Sequence, residues 1–373
     1  MMRRWFLALA LLATACAAPE KPQVFTVTDF GAVEGTVCTE ALQAALDACA
    51  EAGGGRVVIP AGTFLSATLY LRDRTELHLA EGARLQGVED PDAYAPYIPE
   101  HDLSRYDSGG GTANANCVND RQWMKAFLIG AGVQDAAVTG TGTIDGRHVF
   151  DERGEENMRG PHTIIVAEAD NFRMQDVHIT CAANYAFLGY ALEKPVFENL
   201  TITEGWDGIH IRGAHGAVIR HCSFQTGDDS IAGGYWDDML IEDCEVNSSC
   251  NGVRMIMPSQ GVTIRNSHFY GPGVYPHRTS GEARRNNMLF GVILEPGAWG
   301  AAPGESRNIL LQNLQMEQLD AAVSTSVRED NIAWDLTLED ITATRLTGKP
   351  NPIASWNDAG FQSITVRNCS FSR

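Results

Sequence analysis

Two short stretches of the 373-residue chain hold residues whose types and spacing suit acid–base chemistry. They are Trp206-Asp207-Gly208-Ile209-His210-Ile211 and Thr226-Gly227-Asp228-Asp229-Ser230-Ile231, with Asp207 and Asp228 21 positions apart. At about 5 Å and an effective dielectric near 20, two carboxylates repel by roughly 3 kcal/mol, or about two pKa units on one of them. One then keeps its proton as an acid while its neighbours stay ionised as bases, the split that glycoside hydrolysis uses. An inverting reaction asks for carboxyl groups about 6.5 to 9.5 Å apart with a water between them, which a diagonal across neighbouring segments would supply. Two other readings fit the same residues: turn aspartates accepting backbone hydrogen bonds, and three carboxylates holding a calcium ion. His210 and Arg212 alternate with Ile209 and Ile211, so they face outward, and His210 is a candidate substrate contact. Trp206 and Trp236 are candidates for stacking on a sugar ring or for plain packing.

For these residues to meet, 21 positions of chain must form one closed unit. A recurring octet (apolar, any, apolar, any, Asn/Asp/His, any, any, apolar) shows how. Its polar marker falls at Asp176, Asn199, His221, Asp243, Asn266, Asn313, Asp340 and Asn368, with spacings of 23, 22, 22, 23, 47, 27 and 28. A period near 22 is too short for a strand, a helix and two loops, and it lacks the 3.6 pattern of a helix. It suits one turn of a parallel β-helix, in which a coil buries its inward face only when neighbours stack on it. Asn and Asp tolerate the left-handed backbone of a tight turn. The spacing of 47 is one ordinary coil plus either a second coil or an inserted loop. Residues 39–52 form the best amphipathic helix, apolar at 42, 45, 46 and 49, and cap the open end of the solenoid. The expected architecture is all-β: a single right-handed parallel β-helix over residues 17–373.

Composition narrows the partners. There are 47 acidic residues against 28 Lys plus Arg, a formal charge of −19, and 44% of residues are hydrophobic. Such a chain can bury a core, and it offers no basic stripe for nucleic acid or an anionic membrane. Residues 1–16 read as an export signal: Arg3 and Arg4, a short apolar run, then Ala13-Thr14-Ala15-Cys16, which resembles a bacterial lipobox. The expectation is an exported protein at the periplasm or cell surface, touching the membrane only through a lipid on Cys16; cleavage without lipid is the alternative. Of the other eight cysteines, Cys222, Cys244 and Cys369 share one place in the repeat and read as buried stacked side chains, while Cys38 and Cys49 are a plausible local pair.

The stretches Thr28-Asp29-Phe30-Gly31-Ala32, Val57 to Thr63, residues 77–94 and Gly140 to Gly146, with Asn184 before an apolar strand, resemble glycoside hydrolase family 28, the polygalacturonases. The likeness runs over roughly residues 24–371. The second aspartate stretch matches the family's Gly-Asp-Asp motif, and the first is similar to its Asn-Thr-Asp-Gly motif. The resemblance implies a pectin-lyase-like β-helix that hydrolyses a pectin-like or other cell-wall polysaccharide or oligosaccharide by inversion, without metal or organic cofactor. It implies that Asp228 is the general acid and that Asp207 and Asp229 orient and deprotonate the water. The chain departs from the family in two places. Cys250-Asn251-Gly252 stands where the family has Gly-His-Gly, and Asn251 can bond a sugar but carries no proton near neutrality. Phe290 to Pro296 stands where an Arg-Ile-Lys strand would hold a uronate carboxylate. Arg254, or Arg278, Arg284 and Arg285 with His277 in the insertion at 271–287, can compensate. Asn184, Trp206, His210, Asn251 and Arg254 are thus the candidate substrate contacts. The long segment at 108–117 and that insertion are candidates to wall one end of a groove, which would favour release from chain ends. A β-helix lyase or epimerase, or a non-catalytic carbohydrate-binding β-helix, is the alternative.

Overall fold

The computed structural model describes residues 23–107, 116–298, 302–328, 331–348, 353–355 and 361–373. Residues 1–16, Cys16 included, lie outside these, as do 108–115 of the glycine-rich stretch. Among the described residues a coil typically contributes three strands, two of them fused in Ile231–Glu242, and equivalent strands of successive coils pair in parallel. The strands that carry the site are β1 (Phe187–Glu193), β2 (Ile209–His215), β3 (Ile231–Glu242), β4 (Asn251–Met255) and β5 (Met288–Leu294).

Register explains why the alternating pattern folds this way. Phe187, Ile209, Ile231, Val253 and Val292 are successive partners across the five strands, and all are buried in the core. Each such side chain contributes roughly 1.5 to 3 kcal/mol by leaving water. The neighbouring column, Leu188, His210, Ala232, Arg254 and Ile293, points the other way, as expected for His210. Helix α1 (Thr39–Glu51) buries Leu42, Ala45, Leu46 and Cys49 against the first coil, so the capping face is the one its periodicity specifies.

All eight markers have left-handed backbone, with φ between 50° at Asn313 and 66° at Asp176. Their side chains also bridge coils: Asn199 Nδ2 donates to Asp176 Oδ1 at 2.6 Å and Asn313 Nδ2 to Asn266 Oδ1 at 2.9 Å. Thr263 pairs directly with Leu310, so the interval of 47 is one coil enlarged by insertions and not two coils. Gly208 has a different task. A Cβ there would meet Ser230 O at 2.5 Å and the Phe224 ring at 2.9 Å, so the close approach of coils excludes a side chain next to Asp207.

The proposed Cys38–Cys49 bridge is absent, and the eight described cysteines are free thiols. The Cys38 thiol faces Leu65 O at 3.5 Å, while Cys49 packs on the inward face of α1. Cys222 and Cys244 stack as buried side chains; Cys369 is partly exposed in the last coil. Replacing Asn266 (φ 53°) by Val should lower unfolding stability in urea by about 1 to 2 kcal/mol, and by Gly less, because only the backbone strain differs. Equal losses would contradict the turn account.

Candidate active site

The coil period at the site is 22, so Asp207 lies beside Asp229 and not beside Asp228. Gly208 N donates to Asp229 O at 2.9 Å, and Ser230 N to Asn251 O at 3.0 Å. Asp207, Asp229 and Asn251 therefore occupy the same position in three consecutive coils, at the entrance to β2, β3 and β4. Backbone amides run up this column: Asp229 N donates to Asp207 Oδ1 at 3.3 Å, and Asn251 N to Asp229 Oδ1 at 3.2 Å. Asn251 Nδ2 adds a bond to the same Asp229 oxygen at 2.7 Å. Asp228, one residue earlier, turns its side chain outward and is the most exposed of the three carboxyls, at 15%.

An oxygen of each of Asp207, Asp228 and Asp229 lies within 4.8 Å of the others. This is tighter than the diagonal separation expected, because register stacks two carboxylates directly. Electrostatics then distributes the protons. Burial, with Asp228 and Asp229 beside it, drives Asp207 well above the usual carboxylate range. Burial raises Asp229 to about 6 despite Arg254. Burial also opposes ionisation of Asp228, but His277, Arg159 and Arg254 outweigh it and hold that carboxyl below its ordinary range. The empty site thus favours the charge on Asp228 and the proton on Asp207, with Asp229 between them, opposite to the distribution that an acid at Asp228 working alone would need.

A histidine and two arginines surround the cluster. His277 Nε2 is 3.6 Å from Asp228 Oδ1, Arg159 Nη2 is 3.8 Å from Asp228 Oδ2, and Arg254 Nη1 is 3.5 Å from Asp229 Oδ2. Arg254 Nε also pairs with Glu295 Oε1 at 2.5 Å, so the acid that ends the Phe290 strand orients an arginine. The three aspartates have donor atoms close enough for a metal, as do Asp228, Cys250 and His277, and His148, Cys181 and Glu204. Fixed positive charge already sits against each group, with Arg278 Nη2 2.7 Å from His148 Nε2 in the last, so the arrangement disfavours a bound cation.

Several expected substrate contacts are placed elsewhere. His210 is fully buried and its ring stacks on Tyr185 at 4.7 Å and 5°. Arg212 Nε donates to His210 Nε2 at 3.2 Å, which leaves the proton on Nδ1 to reach Asp207 Oδ2 at 2.7 Å. Burial holds this imidazole neutral. Arg212 is locked in turn by Tyr190 Oη at 3.0 Å, Asn116 O at 2.8 Å and Asp107 Oδ1 at 3.2 Å. The segment around Asp107 and Asn116 covers this outward face, so His210 positions Asp207 and does not meet a sugar. Trp206 is 1% exposed beneath Phe150 and Arg159, and its Nε1 donates to Glu156 Oε2 at 3.1 Å. Asn184 is buried, its Nδ2 donating to Gly160 O at 3.3 Å. Trp236 is core, its Nε1 bonded to Ile211 O at 2.9 Å. Asn251 and Arg254 do line an open cavity. Arg159 and Tyr185 were not anticipated: the charged run Asp151 to Glu156 marks a loop, but nothing in its spacing reveals that the loop returns Arg159 to Asp228.

Two cavities flank the carboxylates. One of about 460 Å³ is lined by His148, Phe150, Glu204, Tyr275, His277 and Arg278. The other, about 330 Å³, is lined by Cys250, Asn251, Arg254, Phe290, Glu295 and Ser326.

A family model described as "Right handed beta helix region" matches residues 162–288. An exo-poly-alpha-D-galacturonosidase of Dickeya chrysanthemi is 24% identical over 389 residues, which cover 89% of this chain. The chain is a right-handed parallel β-helix homologous to an exopolygalacturonase. It spans 64% of that relative's length. The fold is also that of the Yersinia enterocolitica family 28 exopolygalacturonase (TM-score 0.69, 18% identity, 94% of this chain and 71% of that one). A hyperthermoactive exopolygalacturonase from Thermotoga maritima shares it, with TM-score 0.59, 16% identity and 93% of each chain covered.

A charged Asp229 costs this β-helix stability. Its folded pKa, about 6, exceeds the ordinary 3.8, so the folded state binds the extra proton and the stabilisation is lost as pH rises through about 6. Between pH 4 and 7 the wild type should lose roughly 1 to 3 kcal/mol more than Asp229→Asn in urea unfolding. Parallel curves would contradict the assignment.

Proposed function

We propose that the protein is a glycoside hydrolase that cleaves a uronate-containing, pectin-like polysaccharide or oligosaccharide by inversion. The carrying observation is the set of three carboxylates with oxygens within 4.8 Å of one another, between two cavities. Asp207 and Asp229, stacked in one column, hold the attacking water together. Its oxygen bonds to the anomeric carbon, and Asp229, the less strongly raised of the two, takes its proton. Asp228, turned outward, gives its proton to the leaving glycosidic oxygen as the carbon–oxygen bond breaks. A pair of bases on one side holds the water that an inverting site otherwise accommodates between two widely spaced carboxyl groups. The homology to an exo-acting galacturonosidase supports the substrate class and the action at chain ends.

Arg278 supports uronate recognition. It lies over the Phe150 ring at 5.2 Å, with Nη2 3.4 Å from Glu204 Oε2, and faces the larger cavity beside Asp228. On the opposite side Arg254 lines the second cavity. These two guanidiniums replace the missing cationic strand as places for a substrate carboxylate. The inserted segment that carries Arg278 walls the first cavity and fits a substrate entering by its end. Export through residues 1–16, with a lipid on Cys16, belongs to the same reading, since polymeric substrate lies outside the cell.

Asp228→Asn should lower turnover of galacturonate oligomers at least 10³-fold with the unfolding midpoint nearly unchanged, and proton NMR should show the inverted anomer appearing first from the wild type. Near-normal turnover in the variant, or a retained anomer, would refute the mechanism.

A further inference from the structure

We infer that His277, carried by the inserted segment at 271–287, supplies the proton of the acid Asp228, so that the working acid is an imidazole–carboxylate pair. The inference rests on the proposed hydrolysis at this site. Its observations are geometric. His277 Nε2 is 3.6 Å from Asp228 Oδ1, while the Thr279 hydroxyl holds Nδ1 at 2.9 Å and the His277 backbone N donates to Arg285 O at 2.7 Å. The ring is thus aimed at the outward carboxyl from outside the solenoid. The column position expected to bear a titrating side chain holds Asn251, which bonds Asp229 and carries no proton.

The surroundings decide which group holds the proton. Cys250 has its sulfur within 4.8 Å of both the Asp228 carboxyl and the His277 ring, and burial keeps that thiol protonated. Glu204, His148, Arg278 and Arg284 face His277 across the larger cavity. Arg159 approaches the other oxygen of Asp228, and Arg254 stands behind Asp229. His277, Arg159 and Arg254 together hold Asp228 below its ordinary range, and of these three side chains the imidazole is the kind that can pass a proton on. As Asp228 protonates the departing oxygen, His277 passes its Nε2 proton to Asp228 Oδ1, and solvent in the cavity restores the imidazolium. The proton taken from water at Asp229 returns to solvent, so each turnover consumes one water and no net proton.

His277 acts through Asp228, so its signature is a pH profile. Without the histidine Asp228 must draw each proton from solvent, a supply that shrinks about tenfold with every unit of rising pH, so the loss is largest near neutrality. His277→Ala should therefore lower kcat about 100-fold or more at pH 7 and less than about tenfold at pH 4.5, with KM changed less than threefold. Imidazole added at tens of millimolar should enter the vacated cavity and restore at least tenfold of the loss at pH 7. A uniform fall at every pH with no rescue would make His277 merely structural and overturn the inference, as would an unchanged profile. A wild-type protein that releases no hydrolysis product from uronate oligomers would overturn the reading of the site itself, and the role of His277 with it.

Discussion

The column formed by Asp207, Asp229 and Asn251 is the constraint from which the rest follows. A coil of 22 residues sets equivalent positions one above another, at about the 4.8 Å spacing of paired strands. Two carboxylates so placed repel by roughly 3 kcal/mol at an effective dielectric near 20, and burial adds to that. The structure offsets this with backbone amides directed at the carboxyl oxygens, and with His210, Arg159, Arg254 and His277 around them. The packed layer of Tyr185, His210 and Arg212 under the segment at Asp107 and Asn116 then fixes Asp207 in place. What remains open lies to either side: one cavity bordered by His277 next to Asp228, the other by Asn251 and Arg254 next to Asp229.

Much of this was legible in the sequence because β-helix physics is local and repetitive. Eight marker residues announce eight left-handed turns, and the inward alternation of Ile209 and Ile211 predicts the core face. The three aspartates were legible for the same reason, although their pairing was off by one residue: spacing alone places Asp207 against Asp228, while hydrogen-bond register places it against Asp229. The difference matters chemically, since it decides which two carboxylates share a water.

What the sequence could not convey is how long loops fold back over the solenoid. His210 faces outward, as alternation requires, yet the segment near Asp107 and Asn116 buries it completely. Arg159 reaches Asp228 from a loop with no repeat marker, and Trp206 lies beneath Phe150 instead of a sugar. Loop contacts of this kind depend on pairs 50 to 105 positions apart, which no periodicity encodes. The same insertions adapt a shared scaffold, and fold alone leaves the chemistry open.

The claim that these carboxylates direct hydrolysis, and not elimination or simple binding, is tested most directly by the mass of the products. Galacturonate oligomers incubated with the protein in ¹⁸O-labelled water should yield saturated products, with one ¹⁸O at the newly formed reducing end of each cleaved bond. Products lighter by one water and absorbing in the ultraviolet would contradict the account, as would uncleaved oligomers that remain tightly bound.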